Sequence, residues 1–123
     1  MKTSYRDVAP YITKDGSEIR ELMHPQVHGN RNQSLAEATV LPGRKTLLHR
    51  HRSTEEIYYI VAGEGSMLLG EETVHVSTGD AICIAPGTPH CIENTGSGVL
   101  RILCACSPAY AHEDTELVEF DAS

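Results

Sequence analysis

Two histidines and a pair of carboxylates crowd the middle of the chain: His49-Arg50-His51, then Arg52-Ser53-Thr54, then Glu55-Glu56. A third histidine, His90, directly follows Pro86-Gly87-Thr88-Pro89. In an extended strand alternate side chains leave from one face, so His49 and His51 point together. The same parity puts Leu47 beside them and turns Leu48 and Arg50 away. The short turn at 52–54 then brings the chain back with a carboxylate, from either Glu55 or Glu56. Neutral imidazoles with a carboxylate are a donor set for Zn, Mn, Fe, Co or Ni. An isolated H-x-H more often marks two surface histidines on a polar edge strand. His90 changes that balance. A ligand that opens a strand behind a stiff Pro-Gly-Thr-Pro reversal has little entropy left to lose on binding.

Other residues are candidates for a pocket around such an ion. In the strand after the turn, Glu56, Tyr58 and Ile60 share one face, and Ile57, Tyr59 and Val61 the other. One of Tyr58 and Tyr59 therefore enters the interior, where it can donate a proton to a bound substrate, and Tyr58 is the candidate. Cys104, in the last apolar run, can line a cavity, and Gln33 can offer a polar group at a strand start. His24 and His28 have H-x₃-H spacing, but Pro25 and Gly29 work against the helix that would make it useful, so they read as loop residues. His75 and His112 read as surface residues. Cys83, Cys91, Cys104 and Cys106 form no C-x-x-C pair and sit in apolar runs, where reduced, buried thiols are expected. Cys104 and Cys106 share a strand face with parallel Cβ directions, which argues against a bridge.

The elements that must position these groups are strands. From Ser34 onward, apolar runs of four to eight residues recur, separated by Gly-, Pro- and Asp-rich turns. Strands are predicted near 34–41, 45–51, 56–62, 66–70, 73–76, 81–85, 89–93 and 98–106, with a shorter one near 17–22. Closely spaced short strands of this kind imply an all-β sandwich or barrel, and no stretch carries a helical stripe. A chain of 123 residues with a single Phe and no Trp must build one core from Val, Ile, Leu and Tyr. The formal net charge of −7 leaves no basic stripe to displace counterions, which argues against nucleic acid or an anionic membrane as partner. The start of the chain lacks a signal-like apolar run. No window nears the roughly 18 apolar residues of a membrane span, so a soluble cytoplasmic protein is expected.

Both histidine segments match motifs. Gly43, His49, His51, Glu56 and Gly63 fall in order on the first cupin motif, and Gly79, Gly87, His90 and Asn94 on the second. Ala85 stands where the second motif has its first Pro, although Pro86 follows at once. The chain is thus identified as resembling a small single-domain cupin, with a short spacer between the motifs. The resemblance implies a double-stranded β-helix (jelly-roll) barrel over 34–107 and an N-terminal arm over 1–33 that contacts a partner in a homodimer; the acidic C-terminal tail over 108–123 reads from its charges as a solvated surface segment. The resemblance also implies one divalent metal (Zn, Mn, Fe or Ni) on His49, His51, Glu56 and His90. Glu56 is preferred to Glu55 because only Glu56 leaves the motif's six residues before Gly63. Gln33, Tyr58 and Cys104 would line the pocket. Four protein ligands leave open positions on an ion that tolerates six. The expected function is therefore a metal-dependent isomerase, cyclase or lyase for a small oxygenated substrate. The alternatives are an Fe(II) dioxygenase and a non-catalytic cupin that binds a small molecule.

Overall fold

The computed structural model describes residues 1–119. In chain order the elements are β1 (Tyr11–Ile12), β2 (Glu18–Met23), α1 (Pro25–His28), β3 (Ser34–Val40), β4 (His49–His51), β5 (Glu55–Ala62), β6 (Glu64–Leu69), β7 (Glu72–Ser77), β8 (Ala81–Ile84), β9 (His90–Asn94), β10 (Leu100–Ser107) and β11 (Thr115–Leu117). They form two antiparallel sheets. One runs β1-β2-β3-β10-β5-β8 and the other β11-β4-β9-β6-β7. The turn at 52–54 carries the chain from the second sheet to the first, so β4 and β5 face each other across the interior. The all-β architecture expected from the strand pattern, in the double-sheet form that the resemblance implies, is the fold the chain adopts.

Alternation decides which side chains enter the core. Along β5, Glu56, Tyr58 and Ile60 are buried while Glu55, Ile57, Tyr59 and Val61 are exposed. Along β10, Leu100, Ile102, Cys104 and Cys106 are buried. The interior is packed with Ile60, Met67, Ile84, Ile92, Leu100 and Ile102, all essentially inaccessible. Burying each such side chain contributes about 2 kcal/mol. Gly63 joins β5 to β6 with φ of +92°, and an added Cβ would stand 2.8 Å from the Val99 carbonyl oxygen. Only glycine satisfies both limits.

Several sequence expectations need correction. The strand predicted over 45–51 is regular only from His49. Its earlier residues bond to different elements, Thr46 N to the Ile92 carbonyl and Leu47 N to the Asp15 carbonyl. Strict alternation is therefore lost, and Leu48 is buried while Leu47 is exposed, the reverse of the expected parity. His24 and His28 do not lie in an irregular loop, because residues 25–28 form a single helical turn. Pro25 sits in its first turn, where a missing N–H costs nothing, and Gly29 closes it at φ of +82°. His24 is buried as the N-cap. Its Nδ1 accepts from Gln26 N, and its Nε2 meets the Tyr110 carbonyl at 2.7 Å. Cys83 is exposed rather than buried, since it falls on the outward face of β8; all four cysteines are free. The acidic tail is not merely a solvated surface segment. Residues 115–117 form β11 against β4, with Thr115 buried.

Asn94, the last residue of the second motif, is buried and ties three segments together. Its Nδ2 donates to the carbonyls of Val40 and Gly98, and its Oδ1 accepts from Gly96 N. Asn94→Ala leaves those buried backbone groups unpaired, which costs about 2 kcal/mol. A urea titration should show the unfolding free energy lowered by that amount, as a lower midpoint at an unchanged slope.

Candidate metal centre

Strand register brings the histidines together. His49 on β4 pairs directly with His90 on β9, and His51 pairs with Thr115 on β11. On the opposite sheet Glu56 pairs with Cys106 of β10 and Tyr58 with Cys104. The turn before β9 is fastened to β4 itself, since Gly87 N donates to the His51 carbonyl at 2.7 Å. The turn between β4 and β5 is fastened to the tail, where the Asp114 carboxylate accepts from Ser53 N and Thr54 N. His49, His51 and His90 are all buried. One ring nitrogen from each lies within 4.8 Å of the others, an arrangement that can hold a metal ion.

The other ring nitrogen of each histidine fixes its tautomer. His49 Nδ1 lies 2.8 Å from the Leu47 carbonyl and His90 Nδ1 lies 2.9 Å from the Thr88 carbonyl. A carbonyl only accepts, so both Nδ1 atoms must carry the proton. His51 Nδ1 lies 2.9 Å from Thr115 Oγ1, whose own proton goes to the Ala111 carbonyl. That hydroxyl therefore accepts from His51. All three Nε2 atoms are left with lone pairs, as in histidines oriented for a metal.

Glu56 Oε1 lies 3.2 Å from His51 Nε2 and 3.5 Å from His90 Nε2. Glu56 Oε1 and His90 Nε2 are buried and lack a hydrogen-bond partner. Burial pushes the Glu56 carboxyl up; protons on His51 and His90, donated to it, would outweigh burial and hold it at about 2, and in the neutral tautomers a cation has to take their place. Burial, then the nearby His90, pushes His49 below its ordinary value against the opposing pull of Asp15. With the Nε2 atoms unprotonated, the Glu56 carboxylate faces the lone pairs of His51 and His90 in a buried site. Such a set repels itself until a cation sits among it, and the donor chemistry fits a divalent ion.

A cavity of about 50 Å³ opens from these residues into the barrel. Ala36 and Ala38 of β3 leave its floor roomy, and Ile19, Val40 and Ile102 make it apolar. At its rim Tyr11 donates to Glu21 Oε2 at 3.3 Å. Tyr58 is the tyrosine that turns inward, with its ring edge-on to His90 at 6.0 Å; Tyr59 is outside. Burial, reinforced by Glu56, raises the Tyr58 phenol well above its usual range and keeps it protonated. Cys104 lines the cavity as expected, its thiol also raised by burial. Gln33 does not join it: the residue is exposed ahead of β3 and is not among the lining residues. His75 is exposed on β7, and His112 on the surface of the tail.

Sequence reasoning missed four nearby groups. Cys106 offers its thiol to Glu56 Oε2 at 3.3 Å, and its i+2 spacing from Cys104 could have shown this once the inner face was known. Thr115 and Tyr110 come from the tail, and the Tyr110 ring stands edge-on to His51 at 5.8 Å. Asp15, in the turn before β2, places Oδ2 3.5 Å from His49 Nε2. No spacing rule links these last three to the histidines.

The Cupin domain family model matches residues 36–106. The chain belongs to the cupin family. Over 119 residues it is 56% identical to Uncharacterized protein MJ1618 of Methanocaldococcus jannaschii, covering 97% of this chain and 95% of that one. The Oxalate-binding protein of Thermotoga maritima is 34% identical over 86 residues, covering 70% of this cupin and 71% of the relative. Among solved structures, the polyketide cyclase RemF of Streptomyces resistomycificus superposes with a TM-score of 0.82 at 23% identity, over 99% of this chain and 87% of that one. At that identity the likeness speaks for the fold alone.

Thr115→Val keeps the size of the side chain but removes the acceptor that orients His51. Metal affinity, measured by calorimetric titration with Zn(II), is expected to fall about 10- to 100-fold. Thermal stability in chelator should change far less.

Proposed function

We propose that this cupin is a metal-dependent enzyme that takes a small oxygenated molecule into its barrel and rearranges it by isomerase, cyclase or lyase chemistry. The observation that carries this reading is the buried cluster of three histidine ring nitrogens, with Glu56 Oε1 against those of His51 and His90. His49, His51, Glu56 and His90 would hold one divalent ion. Bound there, the ion would polarise a carbonyl or hydroxyl oxygen of the substrate. Tyr58, held as a phenol, is placed to donate a proton. The apolar floor excludes bulk water, which strengthens these interactions. Cys104 and Cys106, kept as thiols inside the cavity, favour redox-inert chemistry over an Fe(II) dioxygenase, whose oxygen intermediates would threaten them.

A second reading is binding without turnover, which the name of the Thermotoga maritima relative favours. Small molecules released from denatured, freshly purified protein can be returned to metal-loaded protein. Their conversion supports the enzyme, and their recovery unchanged supports the binder. The metal itself is tested by elemental analysis of protein purified without added metal or a histidine tag. Stoichiometric metal is expected, with its loss in the His49→Ala, His90→Ala double variant.

Protons compete with metal for these ligands, so occupancy should fall between about pH 7 and 5. The depressed His49 acts in the same direction on the metal-free fold. Below about 6.5 the unfolded chain takes up a proton that folded His49 refuses, so stability declines as pH falls. A chelator should lower the melting temperature strongly at pH 7.5 and only slightly at pH 5.5. Equal drops would mean that non-titrating groups hold the ion.

The protein is further proposed to work as a cytoplasmic homodimer, without nucleic-acid or membrane partners. The outer face of β5 supports the dimer, because Ile57, Tyr59 and Val61 are all exposed there and Leu35 of β3 lies in the same sheet. A contiguous apolar sheet face of this kind marks an association surface. The arm over 1–33 would add contacts to the partner. Four free cysteines suit a reducing compartment. Light scattering at micromolar concentration should give twice the 13.4 kDa chain mass, and Tyr59→Glu should shift the species to monomer.

A further inference from the structure

Asp15 reaches the histidines from the side that Glu56 does not occupy. Glu56 stands against His51 and His90, whereas Asp15 Oδ2 stands 3.5 Å from His49 Nε2. We propose that Asp15 is a second carboxylate of the metal centre. It would make the centre charge-balanced and turn it toward uncharged oxygen ligands, away from dianions. The inference rests on the metal reading above.

Local structure aims this carboxylate. Asp15 Oδ1 accepts three hydrogen bonds, from Thr13 Oγ1 at 2.6 Å, Ser17 N at 2.9 Å and Ser17 Oγ at 2.6 Å. These fix the side chain in an Asx-type turn and leave Oδ2 pointing at His49. Among the described residues no hydrogen bond reaches Oδ2. The turn is itself held to the site, since the Asp15 carbonyl accepts from Leu47 N at 2.8 Å. Lys14 Nζ donates to the carbonyls of His112 and Thr115, which ties the same turn to the tail.

His49 Nε2 carries a lone pair because its Nδ1 donates to Leu47. Asp15 Oδ2 and His49 Nε2 are thus two acceptors facing each other with no proton between them. Glu56 Oε1 and His90 Nε2 repeat that pattern at the same 3.5 Å, and both are buried and unpartnered. Two carboxylates on opposite sides of three neutral imidazoles match the full charge of a divalent cation, where Glu56 alone leaves an excess positive charge. Among the described residues no lysine or arginine lines the cavity to offset them, and Glu21 adds a further acid at the rim. An incoming dianion would therefore meet a neutral ion and an acidic wall, whereas a hydroxyl or carbonyl oxygen would meet no repulsion.

The test uses the full chain and Co(II), with binding followed by calorimetry and by the visible Co(II) bands. Asp15→Asn and Asp15→Glu both disturb the turn, but only the second keeps the charge. The expected result is a loss of at least about tenfold in Co(II) affinity for Asp15→Asn, a smaller loss for Asp15→Glu, and shifted bands in both. In Co(II)-loaded protein, Asp15→Asn should also bind oxalate at least about tenfold more tightly than the wild type. Equal Co(II) affinity and identical bands for Asp15→Asn, or equal losses for the two variants, would overturn the proposal. So would unchanged oxalate affinity. If His90→Ala abolishes Co(II) binding while Asp15→Asn does not weaken it, the metal centre stands and the role of Asp15 falls. If the wild type binds no Co(II), both fall. Melting curves in chelator establish that each variant folds. Should Asp15→Asn not fold, Ser17→Ala frees one side of Oδ1 and must itself shift the Co(II) bands; unshifted bands would count against the proposal.

Discussion

Mutual repulsion among unprotonated donors is the constraint around which this barrel is organised. Three Nε2 lone pairs and Glu56 share a buried space, and each is held there by bonds made elsewhere. The Leu47 and Thr88 carbonyls and the Thr115 hydroxyl fix the three imidazoles, while Cys106 meets the far oxygen of Glu56. Assembling these groups without a cation costs free energy, and the apolar strands supply it through core burial.

Each donor is placed by a different kind of local structure. His49 and His51 rely on strand alternation, and β4 need only be three residues long to provide it. His90 relies on the reversal at 86–89, whose amides bond to the Ala85 and His51 carbonyls. That bonding explains why alanine is tolerated at 85: the turn is held from its later residues and from the neighbouring strand. Glu56 relies on the crossover at 52–54, which Asp114 caps from the tail. The tail, the turn at 13–17 and the two central strands therefore form one frame around the site.

The cavity's chemistry follows from its walls. Alanines at 36 and 38 make space that larger side chains would fill, and the remaining lining is either aliphatic or acidic and phenolic. Such a pocket offers few hydrogen-bond donors other than Tyr58, Tyr110 and hydroxyls. Attraction for a substrate oxygen has to come mainly from the ion, with the protein groups selecting by charge and shape. Fold membership does not settle which reaction results, since cupins of one shape hold different chemistries in their pockets.

The strand-rich barrel, its inward-facing residues and the histidine trio could be read from the amino-acid order. Period-2 alternation and turn residues act over a few positions, and the motif spacing of Gly43 through Gly63 and Gly79 through Asn94 reports the same short-range geometry. Tyr58 rather than Tyr59 shares a strand face with the motif's Glu56, and β5 turns that face inward. The short helical turn at 25–28 escaped because Pro25 was weighed as a breaker when its position in the first turn makes it a starter. Asp15, Tyr110 and Thr115 reach the centre from both ends of the chain. Their placement depends on β11 pairing with β4 and on the turn at 13–17 bonding to Leu47, contacts between residues tens of positions apart. Local sequence carries no record of such pairings. Only the closed barrel decides which distant side chains complete the site.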